Sequence, residues 1–359
     1  MLQPLEESLP VVNCHNEWDP LEEVIVGVVD GACVPSWHIS LQATMPPEQW
    51  DFFRQNGGRP FPPHLIDAAR RDLDGFVQLL EAEGVTVRRP EIVDWSRPYG
   101  TPDWQVPGGI YAAMPRDVLL VVGDEIIEAP LSWRTRYHET DAYHPVLVEY
   151  LREGARWTAA PRPRLKDELY AQAWREPRPG EELSYIVGEL EPTFDAADFV
   201  RCGRDLFVQR SHVTNDLGIL WLERHLGPQY RIHRVPTVDS HPMHIDASFM
   251  PLAPGKLLVN PERVREIPPM FRSWDVLRSP ASFSDEDFCM CSRWVNMNVL
   301  MLDERRMIVE SQEEPFIRAV KSWGFEPIPC PFRNFNFFGG SFHCATVDVR
   351  RRGELQSYF

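Results

Sequence analysis

The stretch Pro63-His64-Leu65-Ile66-Asp67-Ala68-Ala69-Arg70-Arg71-Asp72-Leu73-Asp74-Gly75-Phe76-Val77-Gln78-Leu79-Leu80-Glu81-Ala82-Glu83-Gly84-Val85-Thr86-Val87-Arg88 contains a helix, its stop signal and a strand. Leu65, Ile66, Ala69, Leu73, Phe76, Val77 and Leu80 fall at spacings of three and four. They predict a helix from about Pro63 to Glu83, opened by Pro62-Pro63. Gly84 ends it, and the short strand from Val85 stops before Pro90.

This pattern recurs. Pro145 to Arg152 lead through Gly154 to Ala155-Arg156-Trp157-Thr158 before Pro161. Leu217 to Leu226 lead through Gly227 to Tyr230-Arg231-Ile232-His233 before Pro236. Weaker copies end at Val276-Leu277-Arg278 and at Phe325-Glu326-Pro327-Ile328. Between them, segments at 115–121, 203–208, 254–259 and 304–309 each read as a turn entering a buried strand, and Glu23 to Val28 read as the first strand. Five strand-helix-strand copies at spacings of roughly 45 to 75 residues predict a radial, propeller-like α/β domain with a central site. A doubly wound sheet competes, but no G-x-G-x-x-G follows a strand and no P-loop motif is present, so nucleotide binding has no support.

The 359 residues suffice for two average domains or one large pseudo-repetitive one, and 43 % apolar residues can fill a large core. A formal charge of -16 argues against nucleic acid and favours a cationic small molecule through steering. The seven cysteines are scattered; Cys289-x-Cys291 lacks the second pair a zinc site needs, so they read as free thiols in a reducing compartment. No apolar run is long enough for a bilayer, so no membrane association is expected. The first twenty residues carry Glu6, Glu7 and Glu17 but no basic residue, so no targeting segment is read there and a cytoplasmic protein is expected.

Chemistry concentrates in four places. Phe338-Gly339-Gly340-Ser341-Phe342-His343-Cys344-Ala345-Thr346 presents a thiol where a glycine turn enters a strand, with His343 expected on the opposite strand face. Asp117 ends a turn, Asp195 and Asp198 sit in an apolar setting, and His244-x-Asp246 places two side chains on one face of an extended segment. Each has a structural alternative: a buried cysteine, a turn aspartate, a helix cap, a core histidine. Arg350-Arg351-Arg352 reads as a solvated or structural basic run. Cys344, His244, Asp195 and Asp246 also form a conceivable mixed metal-ligand set, but they lack a compact ligand pair. A nucleophilic cysteine with a remote His and Asp fits better.

Nearly the whole chain resembles the arginine:glycine amidinotransferases and their bacterial relatives. The resemblance is carried by Asn16-Glu17-Trp18-Asp19-Pro20 through Gly27, Ala113-Met114-Pro115-Arg116-Asp117, and Glu125 to Pro130. It continues in Phe194-Asp195-Ala196-Ala197-Asp198-Phe199, Met243-His244-Ile245-Asp246-Ala247, Met297 to Glu304, and the tail from Phe342-His343-Cys344 to Tyr358. It implies a five-fold pseudosymmetric α/β propeller (pentein-like), with residues 1–359 forming one catalytic domain of five pseudo-repeats. It also implies a homodimer and transfer of the amidino group of L-arginine to an acceptor amine, without cofactor or metal. By position, Cys344 matches the nucleophile, His244 the general acid/base and Asp195 its carboxylate partner. Asp117 and Asp246, with Asp195, match residues holding the guanidinium; Arg263 and Ser292 match contacts to the substrate α-carboxylate.

Those residue types suit a guanidinium, a planar cation that carboxylates bind bidentately. The departures concern the acceptor. Asp239-Ser240-His241-Pro242-Met243-His244 stands where glycine-using members have Asp-Pro-Asn-Pro-Met-His, and Ser341 replaces a glycine. The 171–190 segment is shorter, and Phe332, Phe335, Phe337 and Phe338 form an unusual aromatic cluster. Glycine is the nearest analogy; lysine, a polyamine or an aminocyclitol is the alternative acceptor. Arginine hydrolysis and non-catalytic arginine binding are the competing functions.

Overall fold

In the computed structural model, which describes residues 10–178, 180–282 and 290–359, Pro63–Ala82 is helical and buries Ala69, Asp72, Leu73, Phe76 and Leu80. The backbone turns at Gly84 (φ +83°), and Thr86–Arg88 pairs in parallel with Leu21–Val26, Val24 opposite Val87. Leu21–Val26 starts two residues before the expected strand. On its other side it pairs antiparallel with Thr346–Arg351, Ile25 opposite Val347.

Four more three-stranded sheets have the same order, an antiparallel pair followed by a parallel third strand. They comprise Leu119–Val122, Glu125–Glu128 and Arg156–Ala159, then Phe199–Cys202, Asp205–Val208 and Arg231–Arg234. Phe249–Ala253, Lys256–Val259 and Asp275–Arg278 form the next, and Leu300–Met301, Arg306–Glu310 and Glu326–Cys330 the last. Helices His144–Arg152, Asp216–Leu226 and Glu314–Ser322 supply three crossovers, each packing one apolar face inward. Gly154, Gly227 and Gly324 follow them with positive φ, a conformation a Cβ disfavours. The crossover before Asp275 differs from the expected helix. It carries Pro261, Pro268 and Pro269, and it holds only the 3₁₀ turn Pro269–Phe271.

Third strands such as Arg156–Ala159 are exposed at their ends and half-buried between, whereas Leu119–Val122 and Phe199–Cys202 are buried throughout. The first strands therefore line the interior, where charged residues must be paired. Arg201 donates from Nε and Nη2 to the two carboxylate oxygens of Glu17 (2.9 and 2.7 Å), and from Nη2 to Asp348 (2.9 Å). Arg116 reaches the other oxygen of Asp348 at 2.7 Å. Arg351 completes the cluster, so of the two readings of 350–352, solvated or structural, the structural one holds for it. It is 1 % exposed and donates to Asp348 and to the carbonyls of Asp19 and Met301. Arg350 and Arg352 pair with Glu22. Cys14, Cys33, Cys202, Cys330 and Cys344 are free thiols, and Cys289 lies outside the described residues. Among those residues no helix is long and apolar enough to cross a membrane.

Candidate active site

Cys344 occupies a tight turn directly before Thr346–Arg351, the expected loop-to-strand junction. Phe342 anchors the turn, stacked on Phe332 at 4.3 Å and edge-on to Phe76 at 5.0 Å. Phe332 and Phe335, singled out as unusual, are thus fully buried support, while Phe338 reaches the cavity wall. Asn298 binds the turn from the other side: its Oδ1 accepts from the backbone N–H of Ser341 and of Cys344, both at 3.0 Å. Its Nδ2 donates to Asp246 Oδ2 at 2.7 Å and to Cys344 Sγ at 3.1 Å. Gly340 lies against Cys344: a Cβ there would stand 2.5 Å from the Cys344 Cβ and 3.0 Å from its sulfur. Gly340→Ala should lower kcat by about a hundredfold by displacing the sulfur, with the melting temperature nearly unchanged. Initial rates with thermal denaturation check this.

His244 reaches the same space by a route the sequence did not suggest. The segment is not extended; His244 has φ +63° and leads into the 3₁₀ turn Ile245–Ala247, so a turn rather than a strand pleat brings His244 and Asp246 together. A non-glycine residue in this region is strained and is held by its contacts. Nε2 of His244 lies 3.0 Å from Asp195 Oδ2, and Nδ1 lies 3.6 Å from Asp117 Oδ1. The donor atoms of Asp117, His244 and Cys344 are all within 4.8 Å of one another. Asp246 Oδ2 is 3.4 Å from the Cys344 sulfur.

A cavity of about 430 Å³ is lined by Asp117, His244, Asp246, Cys344, Arg263 and Ser292, with Tyr111, Trp133, Met243 and Met290 as apolar wall. Asp195 is 1 % exposed and stands behind His244. Arg263 is oriented by Asp239, which takes Nε at 2.8 Å, while its Nη2 donates to Ser292 Oγ at 3.1 Å. Asp239 also accepts from the backbone N–H of His241, whose Nδ1 lies 2.9 Å from the Ala43 carbonyl. Two residues escaped the sequence reading. Asn298 lay inside a quoted stretch without a role. Arg136, in the aperiodic run Trp133-Arg134-Thr135-Arg136, donates to Asp117 (2.9 Å), Glu139 (2.8 Å) and Asp195 (3.3 Å). His343 is not on the far face of a strand: its Nδ1 is 2.9 Å from Asp246.

Burial, then Asp246, pushes the Cys344 thiol up to about 12. Burial opposes charge on His244, but Asp117 and the hydrogen bond to Asp195 hold it well above its ordinary value. Burial raises the carboxyl of Asp117, whose Oδ1 lies 3.6 Å from His244 Nδ1 and has no hydrogen-bond partner. The site thus sets a thiol pushed up by burial beside an imidazole held toward its charged form and a wall of carboxylates, one oxygen of which has no hydrogen-bond partner. A planar cation seated there would complete Asp117 and draw the thiol toward thiolate.

A scan against protein-family models finds no match. The chain is, however, 56 % identical over 359 residues to the L-arginine:L-lysine amidinotransferase of Pseudomonas savastanoi pv. phaseolicola, covering 99 % of both chains. It belongs to the amidinotransferase family. The mitochondrial glycine amidinotransferase of Danio rerio is 47 % identical over 99 % of this chain and 86 % of its own length. SxtG, an amidinotransferase of Microseira wollei in the saxitoxin biosynthetic pathway, superimposes with a TM-score of 0.94 at 52 % identity, covering 97 % of this chain and 99 % of that one. A dimethylarginine dimethylaminohydrolase from Pseudomonas aeruginosa, 13 % identical with a TM-score of 0.57 over 91 % of this chain and 99 % of its own, shares the α/β pentein fold alone. The protein is an enzyme that moves amidino groups between small molecules.

Proposed function

We propose that this amidinotransferase takes the amidino group of L-arginine onto Cys344 and passes it to the ω-amine of an amino acid. The observation that carries this is one cavity holding a sulfur, an imidazole, two carboxylates and, apart from them, an Arg263–Ser292 pair suited to a carboxylate. Asp117 and Asp246 hold the guanidinium; Arg263 and Ser292 hold the α-carboxylate. The guanidinium charge lowers the thiol, which adds as thiolate to the guanidinium carbon while its proton passes by way of His244 to the nitrogen that leaves. His244, oriented by Asp195, protonates the departing δ-nitrogen, and the C–N bond breaks to leave an amidino-cysteine and ornithine. An acceptor amine then occupies the vacated space and attacks the same carbon; His244 takes its proton and the thiolate leaves. No step calls on a cofactor or metal ion.

Because donor and acceptor use one cavity in turn, an acceptor resembling ornithine can use the same carboxylate clamp. Lysine is the acceptor that the name of the 56 % identical relative gives, and it has the required ω-amine. Glycine, the nearer expectation from sequence, carries its amine next to its carboxylate and cannot span the same two subsites. The five similar sheets support a pseudo-five-fold propeller around the site, with residues 1–359 one domain. We take the enzyme to be a cytoplasmic homodimer.

Initial rates with arginine and lysine should give parallel double-reciprocal lines, and quenching with arginine alone should trap an amidino adduct on Cys344 by peptide mass. Intersecting lines with no adduct would remove the covalent scheme. Citrulline and ammonia formed from arginine alone would show hydrolysis instead. Amidination of glycine but not lysine would overturn the acceptor.

A further inference from the structure

The two carboxylates facing the sulfur are each held from behind. Asp117 gives its Oδ2 to Arg136 at 2.9 Å. Asp246 gives its Oδ2 to Asn298 at 2.7 Å, to His343 Nδ1 at 2.9 Å and to the Cys344 thiol at 3.4 Å. His343 is 2 % exposed and does not line the cavity, so it does not touch substrate. Its other ring nitrogen, Nε2, lies 3.2 Å from Glu17 Oε2, and Arg201 grips Glu17 through both oxygens. A neutral imidazole has one N–H and one lone pair. A ring with an ionised carboxylate at each nitrogen satisfies both only as the imidazolium.

We propose that His343 is a positioning residue for amidino transfer: an imidazolium wedged between Asp246 and Glu17 that keeps Asp246 ionised and turned toward the donor guanidinium. This rests on the reading of Asp246 as a guanidinium ligand. Asp246 is 1 % exposed, and burial alone would favour its neutral acid, which presents an O–H where the guanidinium presents N–H groups. The groups facing Asp246 are His343 and Cys344 from the C-terminal turn, Asn298 from the segment before Leu300–Met301, His244 from its own turn, and Asp117 across the cavity. Burial works against its charge, and the hydrogen bond and charge of His343 are the largest opposing influences, followed by His244. Glu17 is held well below the usual carboxylate range, burial being outweighed by Arg201 and His343. Charge thus alternates inward from the cavity floor through Asp246, His343, Glu17, Arg201 and Asp348.

Two measurements test this in the full chain. In His343→Gln, kcat/KM for arginine should fall about tenfold or more at pH 6, and the deficit should close toward pH 9 as Asp246 ionises unaided, one unit of displaced pKa being tenfold. A deficit of equal size at every pH, or no deficit, would overturn the proposal. In ¹⁵N-histidine-labelled wild-type enzyme, the His343 ring, with a carboxylate at each nitrogen, should show two protonated nitrogens under the conditions of the assay. Its signal is assigned by its absence from His343→Gln or, if that variant does not fold, by its shift in Glu17→Gln. A ring with a single protonated nitrogen there overturns the proposal without reference to activity. Asp246→Asn separates the two readings: unchanged arginine affinity there would remove Asp246 as a ligand whatever the ring's state.

Discussion

Cys344→Ala should bind arginine with nearly unchanged affinity and turn it over at least about ten-thousandfold more slowly, since losing a nucleophile removes the step rather than weakening it. The substitution deletes one sulfur from a turn fixed by other atoms. Asn298 holds the backbone N–H groups of Ser341 and Cys344, and Phe342 stays packed on Phe332. Asp117, Asp246 and Arg263 keep their own supports in Arg136, His343 and Asp239. Calorimetry with arginine and a coupled assay for ornithine read the two quantities separately. Turnover within tenfold of wild type would exclude Cys344 as the group that carries the amidine.

The largest effect on stability is expected at Asp348. It is fully buried, and three guanidinium groups converge on it: Arg116 at 2.7 Å, Arg201 at 2.9 Å and Arg351 at 2.9 Å. Removing one partner of a buried ionic group leaves the others uncompensated, at a cost of about 3–5 kcal/mol. Asp348→Ala should lose this much or fail to accumulate as folded protein; a loss under about 1 kcal/mol by urea denaturation would mean the cluster contributes little. Burial works against the charge, but Arg116, Arg351 and Arg201 hold the carboxyl well below the usual range. With the folded value below the unfolded one, this stabilisation is complete above about pH 4 and is withdrawn as acid titrates the group below that. Asp348→Ala should therefore lack the portion of acid destabilisation that wild type shows below that pH.

How much was legible followed the range of each signal. The helix at Pro63–Ala82, its glycine stop and its recurrences were readable because period and punctuation are local. The missing crossover helix before Asp275 was mispredicted, since the repeat was extended over a proline-rich run. Residue type alone suggested a cysteine with a remote His and Asp, but only the resemblance assigned Cys344, His244 and Asp195 their roles, because a His–Asp contact across 49 positions leaves no mark in spacing. The positive φ of His244 belongs to a fold that holds it there, and nothing in its neighbours announces it. Arg136, Asn298 and His343 act through partners far along the chain, as with His343 and Glu17, 326 positions apart. Arg350-Arg351-Arg352 stayed open between a solvated and a structural run, because the carbonyls of Asp19 and Met301 that Arg351 meets lie 332 and 50 positions away.

Thr346–Arg351 pairs with Leu21–Val26, so one sheet is stitched from the two far ends of the described chain. During synthesis the carboxylates and His244 leave the ribosome well before the sulfur does. The first sheet remains short of a strand until the final stretch returns to close it. A polypeptide cut before Cys344 therefore holds the acidic half of the site but not its thiol, and it leaves unpaired the edge of Leu21–Val26 that Thr346–Arg351 covers. The thiol and the third strand of that sheet arrive in the same folding event.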